Sequence, residues 1–218
     1  MTFRKLRQKA ASLLNVPQFL DDRLSLIQQA LGRIEARQAA SVATGDFAAA
    51  EFKVSSQWGE DGIIEHLLHH VPIGRTIFVE FGVQDYREAN TRFLLMNRNW
   101  SGLVMDGSPD NIAAIKQDPI YWRYNLKAAS VFITRENIND AIREQGITGD
   151  IGLLSVDIDG NDYFVWDAID CISPRIVVAE YNALFGAEAA VSVPYDPAFY
   201  RSRAHYSNLY WGCSLAAL

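Results

Sequence analysis

Cysteine is scarce in this chain, as are long apolar runs and surplus positive charge, and each shortage removes a class of protein. Cys171 and Cys213 are its only cysteines, too few for a disulfide framework and without metal-ligand spacing, so they read as packing or idle thiols. No stretch reaches the roughly 18 consecutive apolar residues of a membrane span, and the N-terminus lacks the apolar core of a secretory signal. The expected address is therefore cytoplasmic. With 26 acidic against 20 basic residues the net charge is −6, which argues against broad nucleic-acid binding. What remains is a chain of 218 residues, 49% hydrophobic, able to bury one sizeable core.

That core is organised around Thr76-Ile-Phe-Val-Glu-Phe-Gly-Val83, an apolar, β-prone run that ends on Glu80 and Gly82 before a helical pattern expected over Glu88 to Arg98. Ser101 to Asp106 reads as a second strand, and a helix around Asn111 to Lys116, a strand within Ala128 to Ile133 and a helix over Asn137 to Glu144 continue the alternation. Ile151 to Asp157 is a buried-strand run followed by a helix from Tyr163 to Ile169, and Pro174 to Asn182 repeats the pattern. Strands alternating with helices predict an α/β domain with a doubly wound, Rossmann-like sheet over residues 46–218, behind a separate helical segment over 1–45.

In the first segment, Leu6, Leu13, Leu20, Ile27 and Ile34 recur every seven residues, and Leu24 and Leu31 fill the intervening position. This predicts a helix from about 17 to 40, opened by Pro17, whose seam either pairs with a second copy as a homodimer or packs on the domain. Residues 1–14 set Arg4, Lys5, Arg7 and Lys9 beside Phe3, Leu6, Leu13 and Leu14, the pattern of either a peripheral membrane contact or a solvated helix. Ala39 to Ala50 reads as a linker.

Acidic groups close the strands. Asp106 stands where a doubly wound sheet places a ribose ligand, followed by Gly107 and Ser108. The turn after Gly82 carries Gln84 and Tyr86 where a dinucleotide fingerprint needs glycine, and Asp85 and Glu88 add negative charge where phosphates would sit, so NAD, FAD and ATP are disfavoured. S-adenosylmethionine, a cationic nucleoside without phosphate, suits such a turn. Gln57 and Glu60 either reach over that cofactor or belong to a helix start. Asp157, Asp159 and Asp162, with Glu180 and Asn182, either hold a hard cation such as Mg or Mn or shape turns and caps. Within the tail, His205 is a candidate base for an acceptor hydroxyl.

Phe78-Val-Glu-Phe-Gly, Ser101-Gly-Leu-Val-Met-Asp-Gly-Ser-Pro, Leu153-Leu-Ser-Val-Asp-Ile-Asp-Gly-Asn-Asp-Tyr and Val178-Ala-Glu-Tyr-Asn together resemble the FkbM-type branch of class I S-adenosylmethionine-dependent methyltransferases. The resemblance spans about residues 54–218. It implies a seven-stranded Rossmann-like domain that methylates a hydroxyl of a small molecule, sugar or glycan, with Glu80 and Gly82 in the cofactor turn, Asp106 on the ribose, and Asp157 and Asp159 at the reacting edge. The final helix and antiparallel strand pair of that class have no counterpart here, and Ser214 to Leu218 reads as the start of the helix, so the sheet is expected to be incomplete. Two further readings stand beside it: a metal-dependent nucleotide-sugar glycosyltransferase using Asp157-Ile-Asp159, and a non-catalytic methyltransferase-like interaction module.

Overall fold

The computed structural model describes residues 16–218, so the membrane-contact expectation for 1–14 lies outside the described residues. Helix α1 (Val16–Ala39) leads into the short α2 (Phe47–Ala50) within the expected linker, then α3 (Glu60–His70). The alternating part follows as β1 (Ile77–Phe81), α4 (Arg92–Arg98), β2 (Ser101–Asp106), α5 (Pro109–Gln117), α6 (Pro119–Arg123) and β3 (Leu126–Ser130). It continues as α7 (Ile138–Glu144), β4 (Gly149–Val156), α8 (Asp162–Ala168) and β5 (Ile172–Ala179), with α9 (Arg201–Ala204) in the tail. No described helix is long and apolar enough to cross a membrane.

The strands form a five-stranded sheet in the order β3-β2-β1-β4-β5, parallel throughout. This order runs outward from β1 in both directions, so the connections reverse between β1 and β4. In open α/β sheets, ligands bind outside the carboxyl ends of the strands at such a reversal. The two faces follow the period of two along each strand. Phe78, Val104, Leu153 and Ile176 pack with Ile64, Leu94 and Ile115 on one side. Val79, Phe81, Leu103, Leu154 and Val156 pack with Ile138, Ile142 and Val165 on the other. Both faces are covered, which is why the strands read as nearly continuous apolar runs.

Two expectations are corrected. The helix after β1 starts at Arg92 rather than Glu88, because Gln84 and Tyr86 adopt positive φ (49° and 64°) and the chain loops with Tyr86 fully buried, its hydroxyl 2.9 Å from Thr91 Oγ1. Residues 214–218 make a turn, not a helix, with Ala217 N–H donating to the Ser214 carbonyl. The sheet is the incomplete one expected, with five strands among the described residues, β5 pairing there with β4 alone. Beyond β5 the chain folds back on itself through a Ser192–Cys213 bridge, burying Cys213, while Cys171 is half-buried.

Candidate functional site

The carboxyl ends of β1, β2 and β4 converge, and the turn after β1 is stitched to its neighbours by side chains. Gly82 (φ 80°) lies against the end of β4, where a Cβ would fall 1.5 Å from the Asp157 carbonyl oxygen, so only glycine permits this approach. Glu80 is buried one residue before the end of its strand. Its oxygens accept the N–H groups of Asn90 (2.9 Å) and Thr91 (3.1 Å), and the hydroxyls of Thr91 and Ser155. Burial raises its pKa and those bonds oppose the rise. Glu80 therefore anchors the loop at 82–91 before it can serve a ligand.

Asp106 closes β2. Its Oδ2 accepts the Gln84 N–H at 2.8 Å, and its Oδ1 accepts the Ser108 N–H (2.8 Å) and the Asn111 amide (2.9 Å). Ser108 caps α5. The carboxylate thus joins the turns after β1 and β2. With about four acceptor positions on a carboxylate, one remains for a hydroxyl donor. Asp106, Gly107, Ser108 and Asn111 form one wall of a cavity of about 500 Å³. Val131, Phe132 and Ile133, just beyond β3, give it an apolar wall, and Phe199 to Ser202 close it from the tail. Phe132 and Tyr200 lie nearly parallel, with centroids 6.4 Å apart.

A second cavity of about 550 Å³ adjoins the first and shares Gly82, Gln84, Asp157, Asp159 and Arg201 with it. Gln57 and Glu60 line it with Trp58, Glu88, Glu180 and Tyr181. Glu60 also accepts the N–H groups of Trp58 and Gly59 ahead of α3, a contact at the helix start. Glu80 touches this cavity as well. Apart from Arg201, every charged side chain lining either cavity among the described residues is a carboxylate.

The acidic residues after β4 and β5 divide by what they touch. Asp162 accepts the N–H groups of Ile158 (2.7 Å) and Gly160 (2.8 Å), shaping the turn, and burial pushes its pKa up to about 6. Asp159 (φ 56°) is ion-paired with Arg201, whose guanidinium lies 4.6 Å from the centroid of the Trp211 ring. Asn182 is buried and spent on main chain, donating to the carbonyls of Leu209 and Trp211 and accepting the Leu184 N–H. Asp157 and Glu180 lie side by side, an oxygen of each within 4.8 Å of the other, and Oε2 of Glu180 is buried without a partner. Burial, and then the Asp157 charge, hold the Glu180 carboxyl protonated up to about 10; burial raises Asp157 too.

Asp157, Asp162 and Glu180 bring one oxygen each within 4.8 Å of one another, so an Mg or Mn ion would draw on these three, with Asp159 and Asn182 turned elsewhere. Such an ion would have to displace the Glu180 proton. His205 is exposed, bonded to Ser207 at 2.7 Å, and lines neither cavity. The structure does not bring it to the site. Asn111, Phe132, Trp58 and Tyr200 are site residues that motif spacing did not single out as ligands, since each lies outside the strand-end runs that carry the pattern.

The fold and cavities define an α/β protein with a Rossmann-like parallel sheet and an acidic cleft at its switch point. No family model and no curated protein matches the chain.

Proposed function

We propose that this chain is an S-adenosylmethionine-dependent O-methyltransferase of the FkbM-resembling kind, acting on a hydroxyl of a small molecule, sugar or glycan. The observation that carries the reading is Asp106, held rigidly at the switch point on the wall of a cavity whose charged lining is carboxylate except for one ion-paired arginine. A nucleoside hydroxyl finds an acceptor there, the apolar wall at Val131 to Ile133 suits a planar base, and a phosphate finds no free cation among the described lining residues. Carboxylates nearby favour a sulfonium and an ammonium group. Bound there, S-adenosylmethionine supplies an electrophilic methyl group.

The chain's own part is positioning and proton transfer. The second cavity holds the acceptor, with Trp58 and Tyr181 as flat apolar walls and Glu60 and Glu88 as acceptors for its other hydroxyls. Asp157 receives the proton of the attacking hydroxyl while Glu180, itself protonated, donates to Asp157 and orients it. A raised pKa makes Asp157 a stronger base than a surface aspartate. Confinement of both reactants supplies the larger share of the acceleration.

The test is a calorimetric titration with S-adenosylmethionine. Wild-type chain binds saturably, and Asp106→Ala weakens binding by about tenfold or more, the worth of one hydrogen bond to a charged group. A folded wild-type chain that binds no S-adenosylmethionine refutes the proposal. The metal-dependent glycosyltransferase reading draws on the Asp157, Asp162 and Glu180 oxygens. It would be favoured instead by protection from thermal unfolding with a nucleoside diphosphate plus manganese.

A further inference from the structure

Helix α1 has two unlike faces. Toward the body it presents Gly32, Ala36 and Ala39, all buried. Gly32 sits so close that a Cβ would lie 2.3 Å from Val54 Cγ2 and 3.1 Å from the Phe93 ring, and the Ala39 carbonyl lies 3.1 Å from Nδ1 of buried His66. These small residues let the helix lie flat on α3 and its surroundings. Away from the body lie Leu20, Leu24, Ile27, Leu31 and Ile34, between 49% and 61% exposed. Their intervals alternate four and three, the heptad spacing of a coiled-coil seam.

Two observations say that this seam is made to be covered. Five large aliphatic side chains in one line amount to a few hundred Å² of apolar surface, the size at which a patch on a monomer marks an interaction site. Moreover, residues 24–28 are all exposed, and the described residues that follow turn half-buried at Gln29. A helical stretch so exposed is marginal in water, because propensity alone does not offset the cost of ordering it.

We infer that a second copy of this chain covers the seam, the α1 helices pairing as a short coiled coil while each keeps its small-residue face on its own domain. The heptad repeat is what selects a like helix. Knobs at positions a and d of one helix need holes spaced by the same repeat, and a second copy provides them in register. Leu24 and Leu31 fall at one seam position, and Leu20, Ile27 and Ile34 at the other. Leucine at a with isoleucine at d also admits assemblies larger than two, so the dimer is the smallest product.

Light scattering and sedimentation of the full-length chain test this. The expected mass is that of two or more chains, falling to one chain in Leu24→Glu/Leu31→Glu with the far-UV circular dichroism retained outside α1, because both positions are exposed. Leu24→Ile/Leu31→Ile should keep the larger mass. A wild-type chain of single mass overturns the inference, and so does association that survives the double glutamate variant. Single-chain mass together with sedimentation on anionic phospholipid vesicles would assign the seam to a lipid surface, and association appearing only after removal of residues 1–14 would assign it to the chain's own N-terminus. Either result excludes the pairing.

Discussion

The two flanks of the switch point use the same chemical group in opposite ways. On the β1–β2 flank, Glu80 and Asp106 are surrounded by N–H and O–H donors, and every oxygen has a partner. On the β4–β5 flank, Asp157 faces Glu180, another acid, and one Glu180 oxygen is buried without a donor. A carboxylate with donors holds loops in place. One without them carries a proton whose position depends on what enters the cavity, and this is the flank where chemistry is expected.

The contrast can be broken by substitution. The largest effect is expected at Glu80→Ala, which leaves the N–H groups of Asn90 and Thr91 and two hydroxyls without their acceptor and should cost about 3 kcal/mol, read from the urea midpoint. Asp157→Asn should fold with near wild-type stability yet lower methyl transfer about 100-fold, the usual worth of a positioned base, with S-adenosylmethionine affinity little changed. Stability of the wild type should fall as pH rises. Glu180 titrates near its ordinary value when unfolded but at about 10 when folded, so between those values the folded state holds the extra proton and loses relative stability with each step upward. Asp162, raised to about 6, adds to the fall only at the acid end of that window. Glu180→Gln should flatten the profile between pH 6 and 9, and an unchanged slope would show that Glu180 ionises normally. Least is expected of His205→Ala, within about twofold in turnover, since an exposed side chain outside both cavities touches no reacting group.

The sheet was legible because its strands are apolar runs bounded by acidic or glycine residues, and β2 lies where its pattern places it, from Ser101 to Asp106. That acidic ends share one rim follows directly from parallel strands. Which of them would be free was not legible. The fate of Glu80 depends on the path of residues 82–91, and that path rests on positive φ at Gln84 and Tyr86, residue types that do not announce it. Asn182 looked like a ligand because it ends a strand run, but its partners Leu209 and Trp211 lie far along the chain. Asp159 was likewise claimed by Arg201, 42 positions away. The heptad in α1 was plain, yet the seam alone did not say which way it faces. The answer lay in Gly32, Ala36 and Ala39, whose smallness carries no hydrophobic signal but permits close contact.

Arg201 belongs to both cavities at once, and it is borne by the stretch beyond β5 rather than by a strand. Surface connections accept insertion and replacement far more readily than the sheet they hang from. A chain built this way can change what it recognises by exchanging Phe199 to Ser202 and their surroundings while Asp106, Gly82 and the five strands stay as they are. Swapping that stretch among otherwise similar sheets is a route to new specificities that leaves the folding of the sheet intact.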